Sequence, residues 1–216
     1  MWNVRPAQLI LLAALSAPHS LAAQVEVRTL QQELVLDTAN RVHVDLSFGD
    51  VTIEGVKRGA LAEVELVLEC SREDMEACKK RANRVQLAPR TRRGELQIRL
   101  KRTSRARLRG IKARLKVRMP RDLPLEVDVN SGKIYLSGLR SHIDVNSGGG
   151  DVDILGREKR TRLVNVDLGF GSADLWVGGG RVKGSGWPRS IDWAGSGQAE
   201  IHVDVIGQGD VSIRLE

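Results

Sequence analysis

LEVDVNSGKIYLSGLRSHIDVNSGGGDVDIL, residues 125–155, holds one short unit twice in succession. In the first copy Val127, Asp128 and Val129 lead through Asn130, Ser131 and Gly132 to Ile134, Tyr135 and Leu136. In the second, Ile143, Asp144 and Val145 lead through a turn at residues 146–150 to Val152, Asp153 and Ile154. Apolar side chains recurring every second residue fall on one face of a strand and the polar ones on the other. So short a unit cannot bury its own apolar face and must stack on copies of itself. The expected fold is all-β, a β-solenoid or β-helix-like stack of short strands.

Working outward, the same unit recurs. Val42, Val44 and Leu46 turn through residues 47–50 into Val51 and Ile53, and later copies pair residues 163–168 with 173–177 and 201–205 with 211–215. Val129, Val145, Leu168 and Val205 are taken as equivalent positions. An insertion separates the first copy from the rest: a strand over 62–69, a helix from 72 to about 85, and strands over 95–101 and 111–119. Ser71 is the expected helix cap, with Asp74 three residues on and the acids at the N-terminal end, where the helix dipole favours them. Ile191, Asp192 and Trp193 suggest one more short strand.

Composition agrees with many strands joined by tight turns: aromatic residues make up 3 % and Gly supplies 22 of 216 residues. The net charge of +7 is localised. Between residues 90 and 121 fourteen Lys or Arg face the single acid Glu95, so the remainder of the chain is net negative. Such a patch bears on partners more than on fold. Residues 1–23 read as an export signal, with Arg5 ahead of a short apolar core over 9–15 and small residues at 20–23 for cleavage. One domain is expected over residues 24–216, exported to the periplasm, the cell surface or the medium. Nucleic acid suits the charge but not the export signal.

The order of an export signal, V-T-I-E-G (51–55), a strand–helix–strand insertion closing in L-K-V-R-M-P (115–120), then V-D-V-N-S-G (127–132) and G-D-V-D-I (150–154) resembles the bacterial putative-adhesin family. These are β-strand-repeat proteins grouped as a domain of unknown function, and the likeness runs from about Leu34 to Leu215. The resemblance implies a β-solenoid, a location outside the cytoplasm and an envelope or adhesive role. It transfers no catalytic residue.

Aligned copies put Asp45, Asp128, Asp144, Asp167 and Asp204 in one outward column, and His43, Glu126, His142, Asn165 and His202 in the column two residues earlier. Carboxylates stacked about 4.8 Å apart repel unless cations intervene, so Ca²⁺ is one reading of the first column and solvated turn-proximal acids the other. The tandem glycine-rich repeat that Ca²⁺-binding β-rolls need is missing, and three His on separate copies with no Cys do not specify a metal. No metal or cofactor is assigned.

Tyr135 and Trp176 stand at an outward position of the second strand, with Thr52, Asp153 and Ser212 as equivalents. With Trp187 and Trp193 they offer rings for sugar or protein contact, unless the last two cap the end of the stack. Cys70 and Cys78 have the compartment for a disulfide. Eight residues of helical rise separate them too far unless the chain bends between strand and helix. Lys112, Arg114, Lys116 and Arg118 form a basic row, read either as a footprint for acidic polysaccharide, lipopolysaccharide or another envelope component, or as partners of Glu63, Glu65 and Glu69 at a strand edge.

Two function classes follow: a non-enzymatic envelope scaffold for adhesion or binding, and a carbohydrate-active β-helix enzyme of the lyase type. Polar residues repeated as columns favour the scaffold. An enzyme gathers mixed catalytic groups in one cleft, and no catalytic motif is present.

Overall fold

The computed structural model describes residues 24–36, 38–57, 59–101 and 110–216. The export signal expected over 1–23, and Arg102, Arg105, Arg107 and Arg109 of the basic stretch, lie outside the described residues. Among the described residues the chain is all-β but for one short helix, and its strands form two mixed sheets. In chain order the strands are β1 (Gln24–Val35), β2 (Arg41–Leu46), β3 (Asp50–Val56) and β4 (Leu61–Ser71), then helix α1 (Met75–Ala82). After it come β5 (Arg90–Arg92), β6 (Glu95–Arg99), β7 (Ile111–Pro120), β8 (Leu125–Val129), β9 (Ile134–Ser137), β10 (Ile143–Ser147) and β11 (Val152–Gly156). The chain closes with β12 (Thr161–Phe170), β13 (Ala173–Val177), β14 (Gly180–Lys183), β15 (Arg189–Ala194), β16 (Ala199–Gln208) and β17 (Val211–Leu215).

Each repeat supplies one strand to each sheet. The nine-stranded sheet runs β1-β4-β7-β3-β9-β11-β17-β13-β14, and the eight-stranded sheet runs β15-β12-β16-β10-β8-β2-β6-β5. The two-strand units therefore stack as β6/β7, β2/β3, β8/β9, β10/β11, β16/β17 and β12/β13. A solenoid winds each repeat onto the one before it. Here the order departs from the chain at both ends: the inserted β6/β7 packs outside β2/β3, and the last unit lies inside the one that precedes it in sequence. Unit pairs are parallel throughout, whereas β1, β5, β14 and β15 close the four edges by antiparallel pairing.

Alternation produces one continuous core between the sheets. On β7, Ile111, Ala113, Leu115, Val117 and Met119 are buried, and on β8 Leu125, Val127 and Val129. Removing each large apolar side chain from water contributes roughly 1.5–3 kcal/mol before entropy is counted. The turns joining the two strands of each unit also stack, backbone on backbone. A Cβ added to Gly132 would overlap the Gly49 carbonyl, one on Gly150 that of Gly132, one on Gly209 that of Gly150, and one on Gly171 that of Gly209.

The helical segment differs from its sequence reading. A 3₁₀ turn (Arg72–Asp74) precedes α1, and Ser71 makes no capping hydrogen bond. The Asp74 carboxylate instead accepts Arg81 Nη2 at 2.6 Å. That tighter first turn bends the chain where β4 ends, and Cys70 and Cys78 are joined in a disulfide with their Cα atoms 5.9 Å apart. Arg28, displaced by a register shift in β1, donates from Nη1 to the carbonyls of Ala82 and Val85, both at 2.9 Å, and so holds the C-terminal end of α1.

Candidate binding faces

The register of the eight-stranded sheet fixes which outward residues are neighbours. Nearest the turns, one row reads Arg99, Asp45, Asp128, Asn146, Asp204, Asp167 and Ser190. The next reads Gln97, His43, Glu126, Asp144, His202, Asn165 and Asp192. The expected columns thus need correction at β10. Val145 pairs with Val127 and Ser147 with Val129, so Asn146 takes the place expected for Asp144, and Asp144 that expected for His142. The cause is Ser147, buried at a core-facing position, with its hydroxyl accepting the Gly149 N–H at 3.2 Å. β10 thus extends two residues further, and the turn falls on Gly148, Gly149 and Gly150.

Gly148 lies against the backbone carbonyl of Asn130, with no room for a side chain. The result is a groove of about 360 Å³ bordered by Asp45, Asp128, Asn130, Asn146, Asp204 and Ile206. Asp128 accepts Asn146 Nδ2 at 3.0 Å, fixing the amide in the groove floor. At the same end of the next strands stand Phe170 and Trp187, 56 % and 70 % exposed, beside Ile206 at 76 %. The two rings meet edge-on with centroids 4.6 Å apart. Phe170 and Ile206 escaped the sequence reading because they interrupt the alternation, one at a bulge and one just past the paired positions.

His43 joins two acids of this face. Its Nε2 lies 2.8 Å from Asp128 Oδ2 and its Nδ1 3.4 Å from Glu95 Oε1. Burial acts to lower its pKa, but the Asp128 bond and the charges of Glu126 and Asp128 outweigh it and raise the pKa above the ordinary 6.5. Glu95 moves the other way. Gln97, donating at 2.6 Å, and Arg41, at 2.5 Å, hold its carboxyl below the ordinary 4.5 against the effect of burial. His43, Glu95 and Glu126 bring ligand atoms within 4.8 Å of one another. The donor types suit a divalent cation, but Gln97 and Arg41 already occupy Glu95, and His43 and Glu95 belong to a hydrogen-bonded network that Glu126 joins only through its charge. The three His do not converge: His142 and His202 face Glu200 at 3.9 and 3.3 Å, and Arg162 also pairs with that acid.

On the nine-stranded sheet β7 lies between β4 and β3, not at an edge. Its basic row meets acids on both sides. Lys112 pairs with Asp50 at 3.2 Å, Arg114 with Glu69 at 2.5 Å, and Arg118 with Glu63 at 2.9 Å and Glu54 at 3.4 Å. Lys116 stands between Glu65 and Thr52. The row is a mixed-charge ladder, whose surface pairs contribute little stability each.

The four aromatic candidates are dispersed. Tyr135 lies outward between Thr52 and Asp153, but in that row β13 contributes Asp174, and Trp176 stands two residues on, beside Arg214. Arg181, bonded to Asp174 at 2.6 and 2.7 Å, sits over the Trp176 ring 5.0 Å from its centroid. Trp193, on edge strand β15, packs against the core.

No family model matches the chain, and no curated protein matches it. Solved structures do. One, from Clostridium sporogenes, is named a "putative cell adhesion protein"; at 12 % identity the match covers 88 % of this chain and all of that one, with a TM-score of 0.49. A "putative adhesin" from Bacteroides fragilis matches at 9 % identity over 86 % of this chain and 97 % of its own, with a TM-score of 0.28. Neighbours from Parabacteroides merdae and Parabacteroides distasonis are also named putative adhesins. One further neighbour, from Parabacteroides distasonis, is named a "putative lipid binding protein", at 8 % identity over 87 % of this chain and 96 % of its own, with a TM-score of 0.24. Among the described residues no helix is long and apolar enough to cross a membrane.

Proposed function

We propose that this chain is a non-enzymatic, exported cell-envelope protein that serves as an adhesion and binding scaffold. In this reading its parallel core acts as a short solenoid-like stack, and the turn-side groove of the eight-stranded sheet is the contact surface for a glycan. The observation that carries the reading is the groove itself. Carboxylates and amides at strand spacing hydrogen-bond successive hydroxyls, and the exposed Phe170 and Trp187 rings supply the apolar faces on which sugar rings stack. Acids at Asp45, Asp128 and Asp204 direct the groove toward neutral or amino sugars. A polyanion would instead meet Lys112, Arg114, Lys116 and Arg118, where it must displace carboxylates already paired with three of them.

The enzymatic alternative is less supported. Shifted titrating groups are scattered as ion-paired or hydrogen-bonded partners, among them His43 and Glu95 on one sheet, Asp174 on the other, and Lys133 and Asp210 in the turns before β9 and β17, whereas catalysis gathers them in one cleft. The test is a glycan array probed with residues 24–216, repeated with Asn146→Ala/Asp204→Ala and with Trp187→Ala. Binding lost in both variants is expected; binding unchanged in both removes the groove from the reading. Turnover of a polyuronate by the purified chain would replace the scaffold with the lyase. Sequencing the N-terminus of the mature protein tests export, with a start near Ala23 or Gln24 expected.

A further inference from the structure

The edge opposite the groove carries a different chemistry. There each unit's second strand hands the chain back to the next unit, and the corners after β7, β9 and β11 each bring an arginine: Arg121, Arg140 and Arg157, with Arg160 three residues further. The corners are stacked. Arg121 donates its backbone N–H to the Val56 carbonyl at 3.0 Å, and Arg140 donates to the Arg121 carbonyl at 2.7 Å.

These charges are poorly compensated. Among the described residues no carboxylate lies within ion-pair distance of Arg140, Arg157 or Arg160. The nearest to Arg121 is Asp122, 3.8 Å from its Nε. That Nε is buried and lacks a hydrogen-bond partner. Burial, then the like charges of Arg121, Arg157 and Arg160, hold the Arg140 guanidinium below its ordinary pKa, and Asp122 only partly opposes them. The contrast is with β7, where three of the four cations have acids. Beside Arg157 opens a cavity of about 400 Å³, bordered by Ser137, Gly138, Leu139 and Gly156 and also by Glu216.

We propose that this arginine corner is an anion-binding site for a phosphoryl group, with Arg121 and Arg140 as its inner wall and Arg157 and Arg160 as its rim. Guanidinium groups bind tetrahedral oxyanions through paired N–H donors. A dianion balances several cations of one corner better than a single carboxylate does. The phosphoryl group comes either as free phosphate or as the headgroup of an anionic lipid. The site is independent of the groove and goes beyond the scaffold reading.

The test is thermal unfolding at low ionic strength, with inorganic phosphate compared against chloride at equal ionic strength. Phosphate raises the wild-type Tm saturably, because a ligand that binds only the folded state stabilises it. Arg140→Gln/Arg157→Gln starts from a Tm at or above wild type, since repulsion is relieved, and loses the phosphate response; Lys116→Gln and Asn146→Ala/Asp204→Ala retain it. The exposed pair Arg157→Gln/Arg160→Gln repeats the test should the first variant not fold. Flotation with phosphatidylglycerol rather than phosphatidylcholine vesicles assigns the lipid source, and a phosphate response without flotation assigns the free anion. Phosphate no more effective than chloride, or an equal response in wild type and arginine variants, would overturn the site.

Discussion

His43 Nε2 lies 2.8 Å from Asp128 Oδ2 across the parallel pair of β2 and β8, and this bond couples the turn-side acidic row to the buried Glu95. Because the folded His43 pKa is raised above 6.5, its contribution is complete below that value and is lost as pH rises through the folded pKa. The depressed Glu95 contributes above 4.5 and is lost as pH falls through its folded pKa. Stability from this network is therefore greatest between those two values. Wild type is expected to lose stability in denaturant melts as pH rises above 6.5, and His43→Gln should lose that decline; an unchanged decline assigns it to other groups.

The stacked glycines make a sharper claim. Gly150 has φ of 117° and no space for a Cβ beside Gly132, so Gly150→Ala should cost roughly 2–4 kcal/mol through strain and displaced backbone. Gly179 has φ of 75° but nothing within 4 Å, and Gly179→Ala should cost only about 1 kcal/mol for the backbone conformation. Equal losses in the two variants would show that the turns do not depend on close contact.

Reduction of the Cys70–Cys78 bond, or Cys70→Ala/Cys78→Ala, should lower stability by about 2–3 kcal/mol on the chain-entropy model for so short a loop. Amide exchange should quicken first in α1, which the bond ties to β4.

Arg28 closes the other end of that helix. Arg28→Met removes two charge-assisted bonds to carbonyls and should cost about 1–3 kcal/mol, with faster exchange again centred on α1. Exchange spread evenly over both sheets would place the role of Arg28 elsewhere.

Local chemistry was legible in the sequence; spatial order was not. Alternation at Val127, Val129, Ile134 and Leu136 marks strands with a buried face, since the period of two is a property of the backbone. Ser147 defeated the same reasoning. A serine in a core position looks like turn, and its hydroxyl is satisfied by a contact visible only in three dimensions, so the β10 register slipped and carried Asp144 and His142 with it. The pairing of Arg114 with Glu69 and of Arg118 with Glu63 follows the second reading of the basic row, but that β7 lies inside the sheet and not at its edge is a fact that no local pattern encodes. Arg121, Arg140, Arg157 and Arg160 sit in corners of unequal length, where no fixed spacing announces them. A search for the residue following each second strand would have found Arg121 and Arg157, whereas Arg140 lies three residues past the end of β9.

The placement of β16 and β17 between β10/β11 and β12/β13 has a temporal meaning. A chain made from its N-terminus meets β12 and β13 before the strands that must separate them from β10 and β11 exist. Neither sheet is complete until β16 and β17 have been made, because they fill the gap between β10/β11 and β12/β13.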